Sequence, residues 1–311
     1  MVRRAVVVTI LAVLTGCAGA QQTAPPAPDA VPPAGRQAPA DPALAAALTG
    51  EQPRAAADPR ALARQITAGE GAVRDPASPP EVVAAGGRTA QVAYRAMVVR
   101  PDWDGAVLAD VPAPLHGAVA GNVAAGRELQ AMVRRLPTTL PAWRIVEPPP
   151  AQELRADYAE AQRRFGVPWS ILAAVHLVET STGRIVGLSP AGAQGPMQFM
   201  PGTWAHYGLG GDVWNTRDAI LGAANYLAAN GAADDTDARL DNALYRYNND
   251  SRYVRAIRQY AALIQADERA FLGLHARQVY YRTQVGDVLL PTGYESTRTM
   301  PVQEWLARQP R

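Results

Sequence analysis

The chain of 311 residues has one cysteine, Cys17, and few aromatic residues, which make up 6% of the sequence. A single cysteine can form neither an intramolecular disulfide nor a cysteine-based metal site. No Phe, Tyr or Trp precedes Tyr94, so the first part of the chain has few large side chains to bury. The formal net charge is only +2, and no basic stripe with interleaved aromatic residues is visible. We therefore expect no nucleic-acid partner.

The N-terminus, MVRRAVVVTILAVLTGCAGA, begins with a basic pair, Arg3 and Arg4, followed by an apolar run over residues 5–14. This run is too short to span a bilayer and is typical of a secretory signal sequence. The following LTGC resembles the lipobox of bacterial lipoproteins. That resemblance implies that residues 1–16 are a signal peptide and that Cys17 carries lipid, which would anchor the protein to a membrane on its extracytoplasmic side. An ordinary signal peptide, or a buried thiol at Cys17, is the alternative.

Residues 17–57 are rich in Ala and Pro and contain no aromatic residue. Such a segment buries too little apolar surface to offset the entropy lost on ordering. We therefore predict a flexible tether with a reach of about 35 Å for about 40 residues. The stretch LAAALTG near its end could form a short helix, and the sequence leaves this open.

Residues 58–146 are predicted to be a small helical region without recognisable chemistry. Its first helix has a clear start, with Asp58 as the N-cap and Pro59 in the first turn. The next helical stretch, PPEVVAAGGRTAQVAYRAMVV, is predicted to break into two pieces at Gly86–Gly87.

Residues 147–266 are predicted to form an all-helical domain without strands. Two of its helices have apolar faces at helical spacing: Leu240, Ala243, Leu244 and Tyr247 on one, and Val254, Ile257, Ala261 and Ile264 on the next. Residues 267–311 are a C-terminal extension. Within it, QVYYRTQVGDVLLP is typical of a β-hairpin with Gly286–Asp287 in the turn.

A single acid ends the helix PWSILAAVHLVET of the all-helical domain. Ile171, Val175 and Val178 define the core stripe of this helix, and His176 and Glu179 lie on a neighbouring stripe. The helix end carries partial negative charge, and partial burial removes water, so both disfavour a carboxylate. We therefore predict a raised pKa for Glu179, which suits a general acid at neutral pH. The alternative for Glu179 is an ordinary solvated glutamate on the surface. His176, one turn earlier, could orient Glu179, or it could be a hydrogen-bonded residue on the surface or behind the site.

The loop SPAGAQGPMQFMPGTW follows this helix. Gly192 and Gly195 allow tight backbone turns and close approach of a ligand. A cluster of Met and Phe side chains normally belongs to a core, but Gln198 within it needs hydrogen-bond partners for its amide. The combination indicates a binding surface beside Glu179.

Residues 165–265 resemble the lysozyme-like catalytic domain of bacterial lytic transglycosylases, which are related to goose-type lysozymes. Three motifs in order carry the resemblance: VETS with Glu179, AGAQGPMQFMPGTW at 191–204, and YRYNND at 245–250. It implies a mainly α fold: a lysozyme-like helical catalytic domain, an N-terminal helical extension and a small C-terminal β-hairpin. The flanking regions resemble, more loosely, those of secreted actinobacterial relatives. Two positions depart from the family pattern: Thr180 stands where Ser is usual, and NND replaces NAG.

By this resemblance Glu179 is the catalytic acid/base. The residues implied to bind substrate are Gly195, Met197, Gln198, Tyr247 and Asn248, with the Tyr247 hydroxyl pointing at the reacting centre. Tyr247 could instead be a core residue of its helix. Three further aromatic residues could stack on sugar rings or belong to the core: Trp204, Tyr207 and Trp214.

The implied substrate is the glycan strand of peptidoglycan, cut at the β-1,4 bond between N-acetylmuramic acid and N-acetylglucosamine with formation of 1,6-anhydro-N-acetylmuramic acid. Most glycosidases use two carboxylates, whereas the resemblance implies a reaction that needs one, with no metal and no cofactor. Asp212 and Asp250 lie in predicted loops and could supply a second carboxylate, although capping roles are favoured. The alternatives are therefore a muramidase that hydrolyses the same bond and a non-catalytic peptidoglycan-binding lipoprotein. The lipid and tether would place the enzyme in the cell envelope.

Overall fold

The structure is a computed structural model that describes residues 41–234 and 236–309. The predicted signal sequence, Cys17 and the first part of the predicted tether lie outside these residues. The described chain contains thirteen α-helices and three short antiparallel strand pairs, which confirms a mainly α fold. None of the helices in residues 41–234 and 236–309 is long and apolar enough to cross a membrane.

The N-terminal helices form a layer of their own. They are α1 (Pro42–Leu48), α2 (Pro59–Arg74), α3 (Pro80–Val98), α4 (Asp104–Asp110) and α5 (His116–Met132), with single 3-10 turns at Pro101–Trp103 and Ala113–Leu115. As predicted, Asp58 caps α2, because its side chain accepts a hydrogen bond from the backbone N–H of Ala61. α2 packs along α3, and α3 packs on α5.

Helix α1 lies inside the range predicted to be a flexible tether. Asp41 caps it through the backbone N–H groups of Ala43 and Leu44, and Leu44 and Ala47 are buried against Ala85 of α3. The packed structure therefore includes residue 41, and the tether boundary predicted at residue 57 was wrong. The short helix that the sequence left open near the end of the tether is thus present. It is held by its cap, by this apolar contact and by Arg88, which donates to the carbonyl oxygen of Ala47 at 3.0 Å.

Helix α3 runs unbroken through Gly86–Gly87, so the predicted break was wrong. A Cβ on Gly86 would lie 2.7 Å from the carbonyl oxygen of Gly69 in α2, and a Cβ on Gly87 would lie 2.6 Å from that of Gly273. The two glycines therefore permit close helix packing rather than ending a helix, since the missing side chains let neighbouring backbones approach.

The second group of helices builds the main core. It consists of α6 (Ala151–Phe165), α7 (Trp169–Thr180), α8 (Pro201–Tyr207), α9 (Thr216–Ala229), α10 (Asp237–Asn248), α11 (Ser251–Ala266) and α12 (Arg269–His275). α7 is the central helix, because every residue from Ile171 to Leu177 is buried. The predicted faces are confirmed: the buried residues include Leu240, Ala243 and Leu244 of α10, and Val254, Ile257, Ala261 and Ile264 of α11.

The regions predicted as 58–146, 147–266 and 267–311 pack together. α5 lies along α11, and Ala118 and Ala125 of α5 belong to the same core as Ile171 of α7. Residues on both sides of these predicted boundaries therefore share one core. The division into three regions stays a prediction.

The strand pairs lie near the C-terminal extension. They are β1 (Thr139–Leu140) with β6 (Met300–Pro301), β2 (Arg144–Ile145) with β3 (Ile185–Val186), and β4 (Val279–Thr283) with β5 (Gly286–Leu290), followed by α13 (Val302–Ala307). The predicted hairpin is confirmed, but Thr283 pairs with Gly286, so the turn is Gln284–Val285. β3 is a short strand in the region predicted to be wholly helical. Pairing with β2 anchors the chain just before the glycine-rich loop.

Candidate active site

Glu179 lies in the last turn of α7. The helix ends at Thr180, and Ser181 and Thr182 follow with positive φ values of 53° and 59°. Their backbone N–H groups donate to the carbonyl oxygens of Leu177 and His176, which satisfies the helix end. This sharp ending holds Glu179 at the edge of the main core, partly buried, at the position the sequence predicted.

Burial controls the acidity of Glu179. Loss of solvent raises the pKa of Glu179 to about 7, while a hydrogen bond from Tyr253 opposes that shift. The Tyr253 hydroxyl donates to Oε1 of Glu179 at 2.7 Å. The direction agrees with the sequence prediction, and a carboxyl group with this pKa can both give and accept a proton near neutrality.

Tyr253, in the first turn of α11, was missed by the sequence analysis. It is fully buried, and burial together with the nearby Glu179 holds its pKa well above the usual value, so the hydroxyl remains a donor. A signal was present: Tyr253, Ala256 and Tyr260 are spaced i, i+3, i+7 and are all buried. The apolar face of α11 is therefore wider than the predicted stripe.

Tyr247 and Asn248 lie near the end of α10. The Tyr247 hydroxyl donates to the carbonyl oxygen of Met197 at 2.7 Å, and its ring stacks on that of Tyr253 with centroids 6.4 Å apart. Tyr247 therefore ties the glycine-rich loop to α10, and the hydroxyl that contacts Glu179 belongs to Tyr253. Asn248 is exposed at the helix end.

The glycine-rich loop folds back on itself. Gln194 and Phe199 exchange two backbone hydrogen bonds of 2.8 Å, and the turn between them needs Gly195, which has φ 72°. A Cβ at Gly195 would lie 1.9 Å from the carbonyl oxygen of Val213. Glycine is therefore required at position 195, because the backbone of Val213 occupies the space that a side chain would fill.

Met197 and Gln198 were both expected to line the substrate groove, and they differ in burial. The side chain of Met197 is completely buried in the main core, so it does not line a groove as the resemblance implied. Gln198 is partly exposed with φ 50°, and its Nε2 donates to the carbonyl oxygen of Gly195 at 2.9 Å. Thus Gln198 remains near the surface, while Met197 contributes only its backbone carbonyl.

Thr180 joins the loop to the end of α7. Its hydroxyl donates to the carbonyl oxygen of Pro196 at 2.6 Å and accepts from the backbone N–H of Gly183 at 3.2 Å. The departure from the family pattern at this position therefore keeps a hydroxyl that fixes the loop beside Glu179.

Several apolar side chains within the loop or close to it in sequence are exposed. Four large ones are Leu188, Met200, Leu209 and Trp214. Trp214 is 46% exposed, whereas Trp204 packs edge-on against Phe199 at 5.1 Å and Tyr207 against Tyr226 at 5.0 Å. Of the three aromatic residues considered in the sequence, Trp214 is thus available to a ligand, and the other two pack within the fold.

Of the two other acids considered in the sequence, Asp212 closes a loop turn and Asp250 caps a helix. Oδ1 of Asp212 accepts from the backbone N–H of Trp214 at 2.9 Å. Asp250 caps α11 through the backbone N–H of Arg252 at 2.8 Å and pairs with the guanidinium of the same residue at 2.6 Å. These hydrogen bonds lower the pKa of Asp250 to about 2. In the described residues, no cluster of three or more His, Cys, Asp or Glu side chains could hold a metal ion.

His176 is completely buried, which rules out the surface position among the alternatives considered for it. Its Nδ1 lies 2.7 Å from the Tyr158 hydroxyl, and burial lowers its pKa to about 3, which keeps the ring neutral. Within residues 41–234 and 236–309 no hydrogen bond joins His176 to Glu179. Its contact with Tyr158 instead joins α7 to α6 within the core.

Comparisons with known proteins match the segment that contains the glycine-rich loop. Residues 188–241 match the family model described as "Transglycosylase SLT domain". A segment of 76 residues is 38% identical to "Membrane-bound lytic murein transglycosylase F" of Thiobacillus denitrificans, covering 24% of this chain and 16% of that relative. The chain thus matches only a small part of the relative's length, and no solved structure matches significantly. The resemblance to lytic transglycosylases is confirmed by these two matches.

Proposed function

We propose that this protein is a peptidoglycan lytic transglycosylase with Glu179 as its general acid and base. The observation that carries the proposal is the environment of Glu179: burial raises its pKa to about 7, and the Tyr253 hydroxyl binds one of its two oxygens. The matched domain and the relative's name support the substrate class proposed here, the glycan strands of peptidoglycan.

In the first step the protonated carboxyl group of Glu179 donates its proton to the oxygen that links N-acetylmuramic acid to N-acetylglucosamine. The bond from the muramyl C1 to that oxygen breaks, and N-acetylglucosamine leaves with a new hydroxyl group. The positive charge left at C1 is stabilised by the substrate's own N-acetyl group until the second step. Oε1 of Glu179 accepts a hydrogen bond from Tyr253, which leaves Oε2 to face the substrate. The same hydrogen bond stabilises the carboxylate that remains.

In the second step the carboxylate of Glu179 takes the proton from the muramyl 6-hydroxyl. The 6-oxygen attacks C1 and closes the 1,6-anhydro ring, so the proton returns to Glu179 and no water is consumed. One carboxyl group serves both steps because its pKa lies near neutral pH. Asp250 could not donate the first proton at neutral pH, since its pKa is about 2.

The loop beside Glu179 supplies the substrate-binding surface in this proposal. Gly195 sets the loop's shape, while Gln198 and Asn248 offer amide groups to sugar hydroxyls. Trp214 is 46% exposed and offers a ring face for a sugar to stack on. Met197 acts indirectly, by holding Tyr247 through its backbone carbonyl.

We further propose that lipid on Cys17 anchors the protein to a membrane in the cell envelope. The LTGC sequence and the apolar run before it support this proposal. Expression of a Cys17→Ala variant should move the protein from the membrane fraction to the soluble extracytoplasmic fraction. Retention in the membrane fraction would argue for another anchor.

Mass spectrometry of peptidoglycan digested by the purified protein tests the proposed reaction. The transglycosylase predicts muropeptides that end in 1,6-anhydro-N-acetylmuramic acid. Reducing N-acetylmuramic acid ends would instead show a muramidase. Binding to peptidoglycan without any release of products would show a non-catalytic binding protein.

A further inference from the structure

A second pocket lies between α3, α5 and the β4–β5 hairpin. It has a volume of about 220 Å³, and none of its lining residues belongs to the site around Glu179. We call it the arginine pocket, after Arg95, Arg277 and Arg282 in its lining. The proposed reaction gives this pocket no role.

The charges of the arginine pocket are unbalanced. Asp287 is the one acidic residue among its lining residues, all of which lie in the described chain. Asp287 lies 2.6 Å from Arg95 and 3.9 Å from Arg282. Arg277 forms no salt bridge within residues 41–234 and 236–309; it donates to Tyr260 Oη at 3.2 Å and to Asn122 Oδ1 at 2.5 Å. A half-buried guanidinium without an anion is costly, so the pocket favours a negatively charged ligand.

The remaining walls favour an organic anion over an inorganic one. Val98, Leu129 and Val133 contribute apolar surface, and the amide side chains of Asn122 and Gln130 also line the pocket. These amides already pair within the protein, since Asn122 donates to the carbonyl oxygen of Ala118 and accepts from Arg277, and Gln130 accepts from Arg282. Recognition of a ligand therefore depends on the guanidinium groups, which bind a carboxylate through paired hydrogen bonds, and on the apolar walls. The volume is below that of pockets for drug-sized molecules, which measure roughly 300–1,000 Å³, and suits about two amino-acid residues.

We propose that the arginine pocket binds the C-terminal carboxylate of a peptide, with its last two residues inside. Arg277 and Arg282 hold the carboxylate, and Val98 and Leu129 contact the side chains. This proposal does not rest on the proposed glycosidic reaction, because binding of the peptide to the pocket is measured without any cleavage of glycan.

Isothermal titration calorimetry of the full chain tests this proposal with N-acetyl-D-alanyl-D-alanine, its L,L isomer, the matching C-terminal amides and inorganic phosphate. We expect saturable binding of at least one acid isomer and at least tenfold weaker binding of its amide. The isomer that binds identifies the stereochemistry of the peptide. No binding by either acid, equal binding of acid and amide, or phosphate binding as tightly as the peptide would each overturn the proposal.

Arginine variants locate the binding. We expect Arg282→Gln to weaken binding of the peptide acid about tenfold, and the exposed Arg298→Gln to leave it unchanged. Arg277→Gln should weaken it further, but this side chain also bridges Asn122 and Tyr260, so its thermal melt must match that of the wild type. Unchanged binding by the folded Arg282→Gln variant would contradict the assignment.

Discussion

The C-terminal end of α7 and the N-terminal end of α11 each hold a carboxyl group, and the two differ by about five pKa units. Burial raises the pKa of Glu179 to about 7, whereas the guanidinium and backbone N–H of Arg252 lower that of Asp250 to about 2. Helix polarity acts in the same sense, since a helix carries partial negative charge at its C-terminus and partial positive charge at its N-terminus.

The comparison shows that surroundings decide what a carboxyl group can do in this protein. Glu179 has one neutral donor, the Tyr253 hydroxyl, three residues along α11 from the cap formed by Asp250. Asp250 has charged and backbone donors and stays ionised at neutral pH. One helix start therefore lies beside two carboxyl groups, of which Glu179 has a pKa near neutrality and Asp250 stays ionised.

The largest expected effect is the difference in peptidoglycan cleavage between variants of Glu179 and of Asp250. Glu179→Gln should lower the rate of peptidoglycan cleavage by about 10²–10⁴-fold, the usual contribution of a general acid or base. Asp250→Asn should retain most of the activity, because Asn also caps helices well. Release of soluble glycan from insoluble peptidoglycan measures both. Full activity in folded Glu179→Gln would break the comparison.

A backbone change disturbs the Glu179 end and leaves the Asp250 end intact. Gly195→Ala combines a left-handed backbone with a Cβ 1.9 Å from Val213 O, so we expect about 2–6 kcal/mol lower free energy of unfolding. Gly192→Ala is the matched control, since it has φ 86° and open space around the added Cβ; it should cost only about 1 kcal/mol. Chemical denaturation compares them, and equal losses would argue against the tight turn.

Stability should depend on pH in opposite directions at the two ends. A carboxyl group with a raised pKa penalises folding above its unfolded pKa, so ionised Glu179 should destabilise the fold increasingly from pH 4.5 to about 7. At about 1.4 kcal/mol per pKa unit, the penalty is about 3 kcal/mol at pH 8.

The variant Glu179→Gln removes that penalty. It should be more stable than wild type at pH 8 and equally stable near pH 4, as measured by denaturant unfolding at both values. Asp250→Ala should instead be less stable than wild type at pH 8, because the ionised cap is lost, and this loss should shrink only as pH falls toward 2. A Glu179→Gln variant that is less stable at pH 8 would contradict the burial of the charge.

The smallest expected effect sharpens the role of Tyr253. Its hydrogen bond lowers the pKa of Glu179, so Tyr253→Phe should raise that pKa and move the alkaline limb of the pH–rate profile up by about one unit. Tyr247→Phe is the control, because its hydroxyl bonds to Met197 rather than to Glu179. A Tyr253→Phe profile that moves to lower pH, or does not move, would exclude the proposed contact.

Local patterns predicted most of the helical framework. Capping by Asp58, the apolar faces of α10 and α11 and the position of Glu179 at a helix end all depend on residues close in sequence. The break predicted at Gly86–Gly87 failed because the role of these glycines is set by distant backbone, at Gly69 and Gly273.

The site was only partly predictable for the same reason. Glu179 and the glycine-rich loop carry local signals, whereas the Tyr253 hydroxyl reaches Glu179 from a helix 74 positions away. Met197 and Tyr247 were expected to face the substrate, yet one is core and the other binds the loop. Whether Tyr247 or Tyr253 contacts Glu179 depends on how α7, α10 and α11 pack, and local sequence patterns do not predict that packing.

The most direct measurement is a ¹³C NMR titration of the side-chain carboxyl groups, with Glu179→Gln and Asp250→Asn used to assign the two signals. The account predicts a glutamate signal with a midpoint at about 7 that is missing from Glu179→Gln, and an aspartate signal at about 2 that is missing from Asp250→Asn. A Glu179 midpoint near 4.5 would contradict the claim that burial prepares this residue to act as both acid and base.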